Sequence, residues 1–278
     1  MPMSIRLLLI FSYIYYCIKI RTNPARYFQL NAPFFNSSKG IYSKLDTDRL
    51  IPQRWRLRQS ADNGLVTDFQ YPVFVKPEWG QNAYGIRRAD SEQELSNILS
   101  QTAGSKMPRI IQEGATESRE FEVFFILSAD DETKAAVLTV NEALNVKKID
   151  FPINSINNSN TFYRELTGSL NEEQLSAIWT HMRTFGRFGI SRVGLRSDSI
   201  DGLINGDFHV IEINLFVPMP INLLDPDKTF KQRVSAILNT TWHLAQITKH
   251  IPKDQVSQSV FFKKWWVARK VKMLPQTP

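Results

Sequence analysis

The stretch from residue 192 to residue 220 constrains the fold most, because it has the pattern of two strands joined by a turn. The turn signal consists of small and polar residues, namely Asp201, Gly202, Asn205 and Gly206. Such a signal predicts a hairpin with Arg192 on one strand and Glu212 and Asn214 on the other. Residues two apart share a face of a strand, so Glu212 and Asn214 are expected to aim at one point. The predicted rows are Phe208, Val210, Glu212 and Asn214 on one face, and Ile211 and Ile213 on the other.

Two oxygen-bearing side chains that converge have the outline of a site for a hard cation. Mg²⁺ takes oxygen ligands, keeps several waters and is often shared with substrate phosphates. Taken alone, a Glu-x-Asn pair is more often a polar strand end exposed to solvent. The interpretation therefore depends on the residues upstream.

The charge of the chain is concentrated at its two ends. Residues 1–45 contain six Lys and Arg residues and no acid, and residues 255–278 contain five and no acid. Because the net charge of the 278 residues is +7, these eleven basic residues leave −4 for the segment between. This distribution argues against a nucleic-acid binder, whose basic surface would include the folded middle. The one cysteine, Cys17, excludes an intramolecular disulfide framework.

Both basic ends are also apolar and aromatic. The uncharged run from Leu7 to Ile18 is shorter than the roughly 20 residues that a spanning helix needs. It resembles the first regions of a signal peptide, but no small-residue cleavage site follows. At the other end, Phe261, Phe262, Trp265 and Trp266 recur at helical spacing among basic residues, which is typical of a helix at an anionic membrane surface. Packing of both ends on the core or on another subunit is the alternative.

A buried strand and a glycine-containing loop are predicted upstream. The apolar run from residue 72 to residue 77 presents Lys76 near its end, and a loop between Gly80 and Gly85 follows it. Small residues in such a loop let backbone N–H groups approach phosphate oxygens. The loop is not a Walker A motif, since Ile86 stands where the Lys-Ser/Thr pair is required.

The remaining pattern alternates helices and strands. Apolar periodicity predicts helices over residues 42–50, 91–99, 171–188 and 229–250, and strands over 109–112, 121–126 and 135–140. The buried side of the last helix is expected to be Val234, Ile237, Leu238, Trp242 and Leu244.

Taken in order, Lys76 with its glycine loop, Glu113, Glu120, Arg192, Glu212 and Asn214 resemble the ATP-grasp superfamily, closest to its D-alanine-D-alanine ligase-like and carboxylate-amine ligase members. The resemblance covers about residues 44–224. It implies an α+β fold in which two α+β subdomains clamp ATP between antiparallel sheets, here with a reduced N-terminal region. The implied boundaries are residues 1–40 for a basic and apolar segment, 41–118 and 119–250 for the subdomains, and 251–278 for a basic aromatic tail.

The resemblance also implies a role for each matching residue. Lys44 and Lys76 would contact ATP phosphates, and the loop with Gly80, Gln81, Asn82 and Gly85 would close over them. Residues 113–116, including Glu113 and Ala115, would lie beside adenine, and Glu120 would bind the ribose. Lys148, or its neighbour Lys147, would be a further phosphate-facing lysine. Arg192 and Lys76 would be catalytic, with Arg192 stabilising the transferred phosphoryl group, and Glu212 and Asn214 would hold Mg²⁺.

Two departures from the family pattern stand out. Family members generally have an aspartate metal ligand two residues after the arginine, and here that position is Gly194. Asp198 is close enough in sequence to be suspected as a replacement. The family also usually has a complete α/β domain before the grasp, whereas only about 40 residues precede Lys44 here. In addition, residues 215–219 are apolar where the family tends to small residues, which suits either an apolar acceptor or core packing.

The resemblance implies an ATP- and Mg²⁺-dependent ligase that joins a carboxylate to an amine or similar nucleophile through an acyl phosphate. The alternative is a degenerate ATP-grasp protein that binds nucleotide and acts as a membrane-surface interaction module. The expected partners are ATP and small-molecule carboxylate and amine substrates, with a homodimer and an anionic membrane surface as further candidates. The expected location is cytoplasmic, with the inner membrane face as a second candidate.

Overall fold

Two antiparallel sheets form the framework of the part of the chain that the structure describes. The computed structural model describes residues 3–62, 68–80, 83–102, 108–147 and 150–263. The first sheet contains β1 (Gln59–Ala61), β2 (Val73–Pro77), β3 (Arg87–Ala89) and β4 (Arg109–Glu113), in the order β1-β4-β2-β3. The second contains β5 (Arg119–Leu127), β6 (Ala135–Asn145), β7 (Thr161–Glu165), β8 (Ile190–Ser197) and β9 (His209–Asn214), in the order β7-β6-β5-β8-β9.

Six α-helices are described over their whole length, and residues 260–263 are also helical. They are α1 (Met3–Lys19), α2 (Lys44–Asp48), α3 (Glu92–Thr102), α4 (Glu172–Met182), α5 (Ile200–Asn205) and α6 (Phe230–Lys249). Short 3₁₀ turns lie at Pro24–Gln29, Ala32–Phe34, Gln53–Trp55, Thr167–Ser169, Arg183–Phe185 and Ile221–Leu224. The mixture of helices with antiparallel sheets is the predicted α+β class, which is confirmed.

The two faces of the first sheet differ in chemistry because side chains alternate along a strand. Val73 and Val75 of β2 and Ile111 of β4 point to one face, where they pack against Leu95 and Ile98 of α3. The opposite face carries Phe74, Lys76 and Gln112, which face the second sheet. One side of the sheet is thus covered by a helix, and the other side faces the cleft.

The second sheet holds the larger core. Its central strand β5 is buried continuously from Phe121 to Leu127, as expected for a strand covered on both faces. Aromatic side chains dominate the packing, and Phe121, Phe124, Phe125, Phe185 and Phe188 are each at most 1% exposed. Burial of this much apolar area is the main favourable contribution to folding.

The segment before the first sheet packs on the second one. Trp55 is 1% exposed, stacks on Phe208 with ring centroids 4.7 Å apart, and donates from its indole N–H to the carbonyl of Gly206 at 2.7 Å. Arg56 forms an isolated bridge with Val210 of β9. The chain therefore enters the first sheet from the second and returns to it between β4 and β5.

The prediction that a tight turn joins the last two strands was wrong. Strands β8 and β9 do pair in antiparallel fashion, but α5 connects them. The side chain of Ser199 caps this helix by accepting from the N–H of Gly202, and Gly206 ends it with a left-handed φ of +88°. Small and polar residues therefore act here as helix cap and helix terminator rather than as hairpin turn.

A β-bulge corrects the predicted rows on β9. Gly194 is paired with Glu212 and Leu195 with Val210, so that Ile211 is the extra residue. An extra residue reverses the alternation of side chains. Val210 and Ile213 consequently lie in the core, while Ile211 and Glu212 line the space between the sheets. The prediction that Glu212 continues the row of Val210 was wrong.

The terminal helices α1 and α6 lie against each other. Tyr16 of α1 contacts Trp242 of α6 with ring centroids 5.4 Å apart, and the hydroxyls of Tyr13 and Thr248 lie 3.1 Å apart. The predicted buried side of α6 holds for Ile237 and Leu244, whereas Leu238 is 39% exposed. None of the helices in the described ranges has the length and apolar character needed to traverse a bilayer.

Candidate functional site

A cleft between the two sheets gathers most of the sequence-predicted site residues. Its empty volume is about 820 Å³, including its opening to solvent. Residues of the first sheet, its loops and the segment before it that line the cleft are Lys44, Leu57, Phe74, Lys76, Gly80, Ala83, Tyr84, Ile86, Gln112, Glu113, Gly114 and Ala115. Residues from the second sheet and the loop before β7 are Glu120, Glu122, Pro152, Ile153, Asn154, Gly194, Arg196, Ile211 and Glu212. Lys76 and Glu212 thus face the same space, as the hypothesis of a closed nucleotide site requires.

Two lysines enter the cleft from the first sheet's side. Lys76, near the end of β2, is 6% exposed and donates from Nζ to Oε1 of Gln112 at 2.6 Å. Lys44 is the first residue of α2, which the Ser43 hydroxyl caps, and its Nζ donates to the carbonyl of Pro77 at 3.2 Å. Burial lowers the pKa of Lys76 to about 8, and the nearby charge of Lys44 adds to this effect. Burial also lowers the pKa of Lys44, against the attraction of Glu212.

The glycine loop lies at the mouth of the cleft. Gly80, Ala83, Tyr84 and Ile86 line it, whereas Gly85 serves the turn, with φ of +72° and a Cβ position only 3.2 Å from Pro77 Cγ. A side chain at Gly85 is therefore disfavoured by both conformation and space. Gln81 and Asn82, the other predicted loop residues, lie outside the described ranges.

The connection from β4 to β5 forms one wall. A side chain at Gly114 would be crowded, because its Cβ would lie 3.0 Å from the carbonyl oxygen of Pro72. The Arg196 guanidinium holds this connection by donating to the carbonyls of Ala115 at 3.4 Å and Ser118 at 3.5 Å. Glu113 lines the cleft, although its Oε1 accepts from the N–H of Gln70 at 2.8 Å. Burial raises the pKa of Glu120, which lies opposite Arg196 in the sheet.

Arg192, Glu212 and Asn214 form a polar group on the second sheet. Asn214 donates from Nδ2 to Oε1 of Glu212 at 2.8 Å, which confirms that the two share a face. Arg192 is the cross-strand partner of Asn214. Burial opposes ionisation of Glu212, but Lys44 and Arg192 outweigh it, so its pKa is lowered. Neither Arg192 nor Asn214 is among the residues that line the cleft, so both act from behind its surface.

Sequence reasoning missed Glu122, Arg196 and Gln112. Glu122 is 7% exposed on β5, and its Oε2 lies 3.1 Å from Nε of Arg192. Burial raises its pKa to about 7, with Glu212 and Glu120 adding and Arg192 opposing. The signal was available, because Glu120 and Glu122 are two residues apart on a strand and must share a face. Nothing local marked Gln112 or Arg196.

The structure also bears on the predictions for Asp198, for Lys147 and Lys148, and for the apolar residues after Asn214. Asp198 does not replace a ligand at Gly194, because it lies beyond the end of β8, is exposed, and accepts from the N–H of Ser118 at 2.8 Å. Lys148 lies outside the described ranges, and its neighbour Lys147 is exposed. Of the apolar residues after Asn214, Leu215 is 4% exposed in the core, so packing accounts for it.

The donor set fits a hard cation that is shared with a phosphate chain. In the described ranges, no group of three or more His, Cys, Asp or Glu side chains is placed to hold a metal ion alone. Glu212 and Glu122 both line the cleft around Gly194, and the amide of Asn214 donates to Glu212. Mg²⁺ needs only one or two protein carboxylates when substrate phosphates and water complete its shell. Lysines on one side and carboxylates on the other thus suit a metal-bound polyphosphate.

Comparison with known proteins gives one family and several structures. The family model described as the D-ala D-ala ligase C-terminus matches residues 43–218. A comparison with curated protein sequences gives no match. Similar solved structures include an L-amino acid ligase from Bacillus licheniformis, with TM-score 0.46, 16% identity and coverage of 80% of this chain and 50% of that one.

Two further solved structures are similar. A D-alanine–D-alanine ligase from Bacillus anthracis complexed with ATP gives TM-score 0.47 and 15% identity, with coverage of 75% of this chain and 65% of that one. The VanG D-Ala:D-Ser ligase from Enterococcus faecalis gives TM-score 0.49 and 14% identity, with coverage of 76% and 70%. The chain thus spans half the length of the L-amino acid ligase and just under two thirds of the D-alanine–D-alanine ligase.

Proposed function

We propose, since this chain belongs to the D-ala D-ala ligase C-terminal family of ATP-grasp proteins, that it is an ATP- and Mg²⁺-dependent ligase joining a carboxylate to an amine. The observation that carries the proposal is the meeting of Lys44 and Lys76 with Glu212 in one cleft between two sheets. Cations on one wall and a carboxylate on the other are the parts that phosphoryl transfer demands.

Nucleotide binding is assigned to the first sheet and the connection after it. Lys44 and Lys76 neutralise phosphate charge, and the loop with Gly80 and Gly85 covers the phosphates. The wall from Glu113 to Ala115 lies beside the base, and the absence of a side chain at Gly114 lets this wall pack closely on Pro72 and Phe74. Glu120 accepts from the ribose hydroxyls. The closeness of these groups within one cleft supports the assignment.

The chemistry is assigned to the second sheet. A carboxylate oxygen of the substrate attacks the γ-phosphorus, the bond to ADP breaks, and an acyl phosphate forms. The amine nitrogen then attacks the acyl carbon, loses a proton, and inorganic phosphate leaves. Arg192 stabilises the charge on the transferred group. Glu212 and Asn214 would hold Mg²⁺, which would neutralise negative charge on the phosphate oxygens.

The proposal is tested by ADP release from ATP and Mg²⁺ with a panel of carboxylates, with and without amines. ADP that appears only when both substrates are present, and that is lost in Glu212→Gln, supports the ligase. Nucleotide affinity is measured separately by calorimetry with a non-hydrolysable ATP analogue. Absence of nucleotide binding by the folded protein overturns the proposal, and tight binding without turnover favours the degenerate alternative.

A specific observation favours membrane-surface association as a second function. Helix α1 carries one exposed apolar stripe, in which Met3, Leu7, Ile10, Phe11, Ile14 and Ile18 are each 37–67% exposed. Arg6, Lys19 and Arg21, all exposed, border this stripe. An apolar face with basic flanks binds anionic bilayers by burial and by charge attraction. The occupant proposed for the stripe is therefore an anionic lipid surface.

Flotation with vesicles tests this second function. The protein is expected to float with phosphatidylserine-containing vesicles and not with phosphatidylcholine alone. Replacing Ile10 and Ile14 by Glu should abolish flotation, whereas Leu238→Glu, which changes an exposed apolar residue of α6, should not. Unchanged flotation of the α1 variant rejects this use of the helix. The tail residues Trp265 and Trp266 lie outside the described ranges.

A further inference from the structure

Three residues on neighbouring strands stand in one row across the second sheet. Glu122 of β5 is the partner of Gly194 on β8, and Gly194 is the partner of Glu212 on β9. Directly paired residues of antiparallel strands point to the same face. The row therefore places a carboxylate on each side of a glycine, at the floor of the cleft.

The space over Gly194 lies between the side chains of Glu212 and Glu122. A Cβ at this position would lie 3.6 Å from Cγ of Glu212, and 3.8 Å and 3.9 Å from the two carboxylate oxygens of Glu122. These are ordinary contact distances, so the glycine is not required by backbone conformation or by steric exclusion. Without a side chain at Gly194, the space over β8 is open to the carboxylate of Glu122 on β5.

The carboxylate of Glu122 keeps unused hydrogen-bonding capacity at this place. Arg192 is the near cation, with Nε 3.1 Å from Oε2 of Glu122, yet both of these buried atoms lack a hydrogen-bond partner. The contact is thus an ion pair without hydrogen-bond alignment. A buried carboxylate with unused lone pairs is costly unless a further cation or donor reaches it. A divalent cation between Glu122 and Glu212 supplies that partner.

We propose that Glu122 is a protein ligand of the nucleotide-bound metal, acting from β5 together with Glu212 and the amide oxygen of Asn214 on β9. The inference rests on the proposed function, since the same cleft must receive the metal with its nucleotide. In this arrangement Glu122 on β5 supplies the carboxylate ligand that is absent at Gly194 on the adjacent strand β8. The ligand class is a hard divalent cation, Mg²⁺ or Mn²⁺, shared with phosphate oxygens.

The test measures metal binding without turnover. Mn²⁺ is titrated into the full chain with a β,γ-imido analogue of ATP, and free Mn²⁺ is read from its electron paramagnetic resonance signal. Glu122→Gln is expected to weaken Mn²⁺ binding by about 10- to 100-fold, the range found when interactions around a metal are removed. Glu142→Gln is the matched control, because Glu142 is a buried carboxylate of the adjacent strand that pairs with Arg119.

A relocated carboxylate keeps the test independent of folding. The double variant Glu122→Thr with Gly194→Asp moves the ligand back to β8, and the contact distances at Gly194 leave room for it. It should recover Mn²⁺ affinity to within about threefold of the wild type. Analogue binding in EDTA is measured for every variant. Wild-type Mn²⁺ binding that Glu122→Gln leaves unchanged overturns this inference alone. Failure of the wild type to bind the analogue overturns the proposed function with it.

Discussion

Lys76 Nζ donates to Gln112 Oε1 at 2.6 Å, and the other end of the same amide donates to the carbonyl of Ile211 at 3.3 Å. The amide of Gln112 thus joins a lysine of the first sheet to the bulged strand of the second. Because an amide both accepts and donates, it can orient the ammonium group and span the cleft at once. Lys76 is therefore held in position before any phosphate arrives.

Lys76→Met is expected to weaken binding of ATP by about 10- to 100-fold, which corresponds to roughly 1.4–2.8 kcal/mol. The loss follows from removal of a charge placed among phosphates, since a methionine fills similar volume. Calorimetry with a non-hydrolysable analogue measures the effect. Lys253→Met, at an exposed position, is the control and should bind as the wild type does. Equal affinities of the two variants would contradict the assigned role.

ATP affinity is expected to fall as pH rises above about 8. Burial lowers the pKa of Lys76 to about 8, so the ammonium charge disappears through this range. Lys76 also affects stability, because between about pH 8 and 10.5 it is protonated in the unfolded chain but not in the folded one. Its contribution to the free energy of unfolding therefore increases as the pH rises through this range. Titration of wild type and Lys76→Met from pH 7 to pH 10 separates this effect from other groups. A flat profile of affinity in the wild type would rule it out.

Arg192→Lys is expected to lower the rate of ADP formation by about 100-fold or more while changing nucleotide affinity by less than about threefold. The guanidinium sits behind the cleft surface beside Glu122 and opposite Asn214, so it contributes little to ground-state binding. A lysine keeps the charge but not the planar fork. Steady-state kinetics and calorimetry check the two parts. A loss confined to affinity would assign Arg192 to binding instead.

Trp55→Ala is expected to reduce the free energy of unfolding by about 3–5 kcal/mol, the usual range for emptying a large buried site. The indole is 1% exposed and loses both its stacking on Phe208 and its hydrogen bond to Gly206. Urea unfolding measures the change. Trp55→Phe keeps the ring and should cost less than half as much. A small effect of Trp55→Ala would show that the segment before β1 is not part of the second core.

The general pattern of the fold was predictable because alternation and helical periodicity are local properties. β2, β5, α4 and α6 follow from runs of apolar residues at fixed spacing. The row on β9 was not predictable, because the extra residue Ile211 is fixed by pairing with β8 and leaves no mark in the sequence. Glu122 could have been found from the sequence, since it lies two residues after Glu120 on one strand, but its closeness to Glu212 depends on how β5, β8 and β9 pair. The predicted boundaries of the subdomains stay predictions.

The path of the backbone around Trp55 has a mechanical consequence. Connections near residue 58 and between Glu113 and Arg119 join the sheets, and the N–H of Glu113 donates to the carbonyl of Arg58 at 2.9 Å. Because these connections lie side by side, they can act together as one hinge between the sheets. We expect a rotation of the first sheet about this hinge to open the cleft, and to displace the glycine loop at the cleft mouth more than the bulged strand.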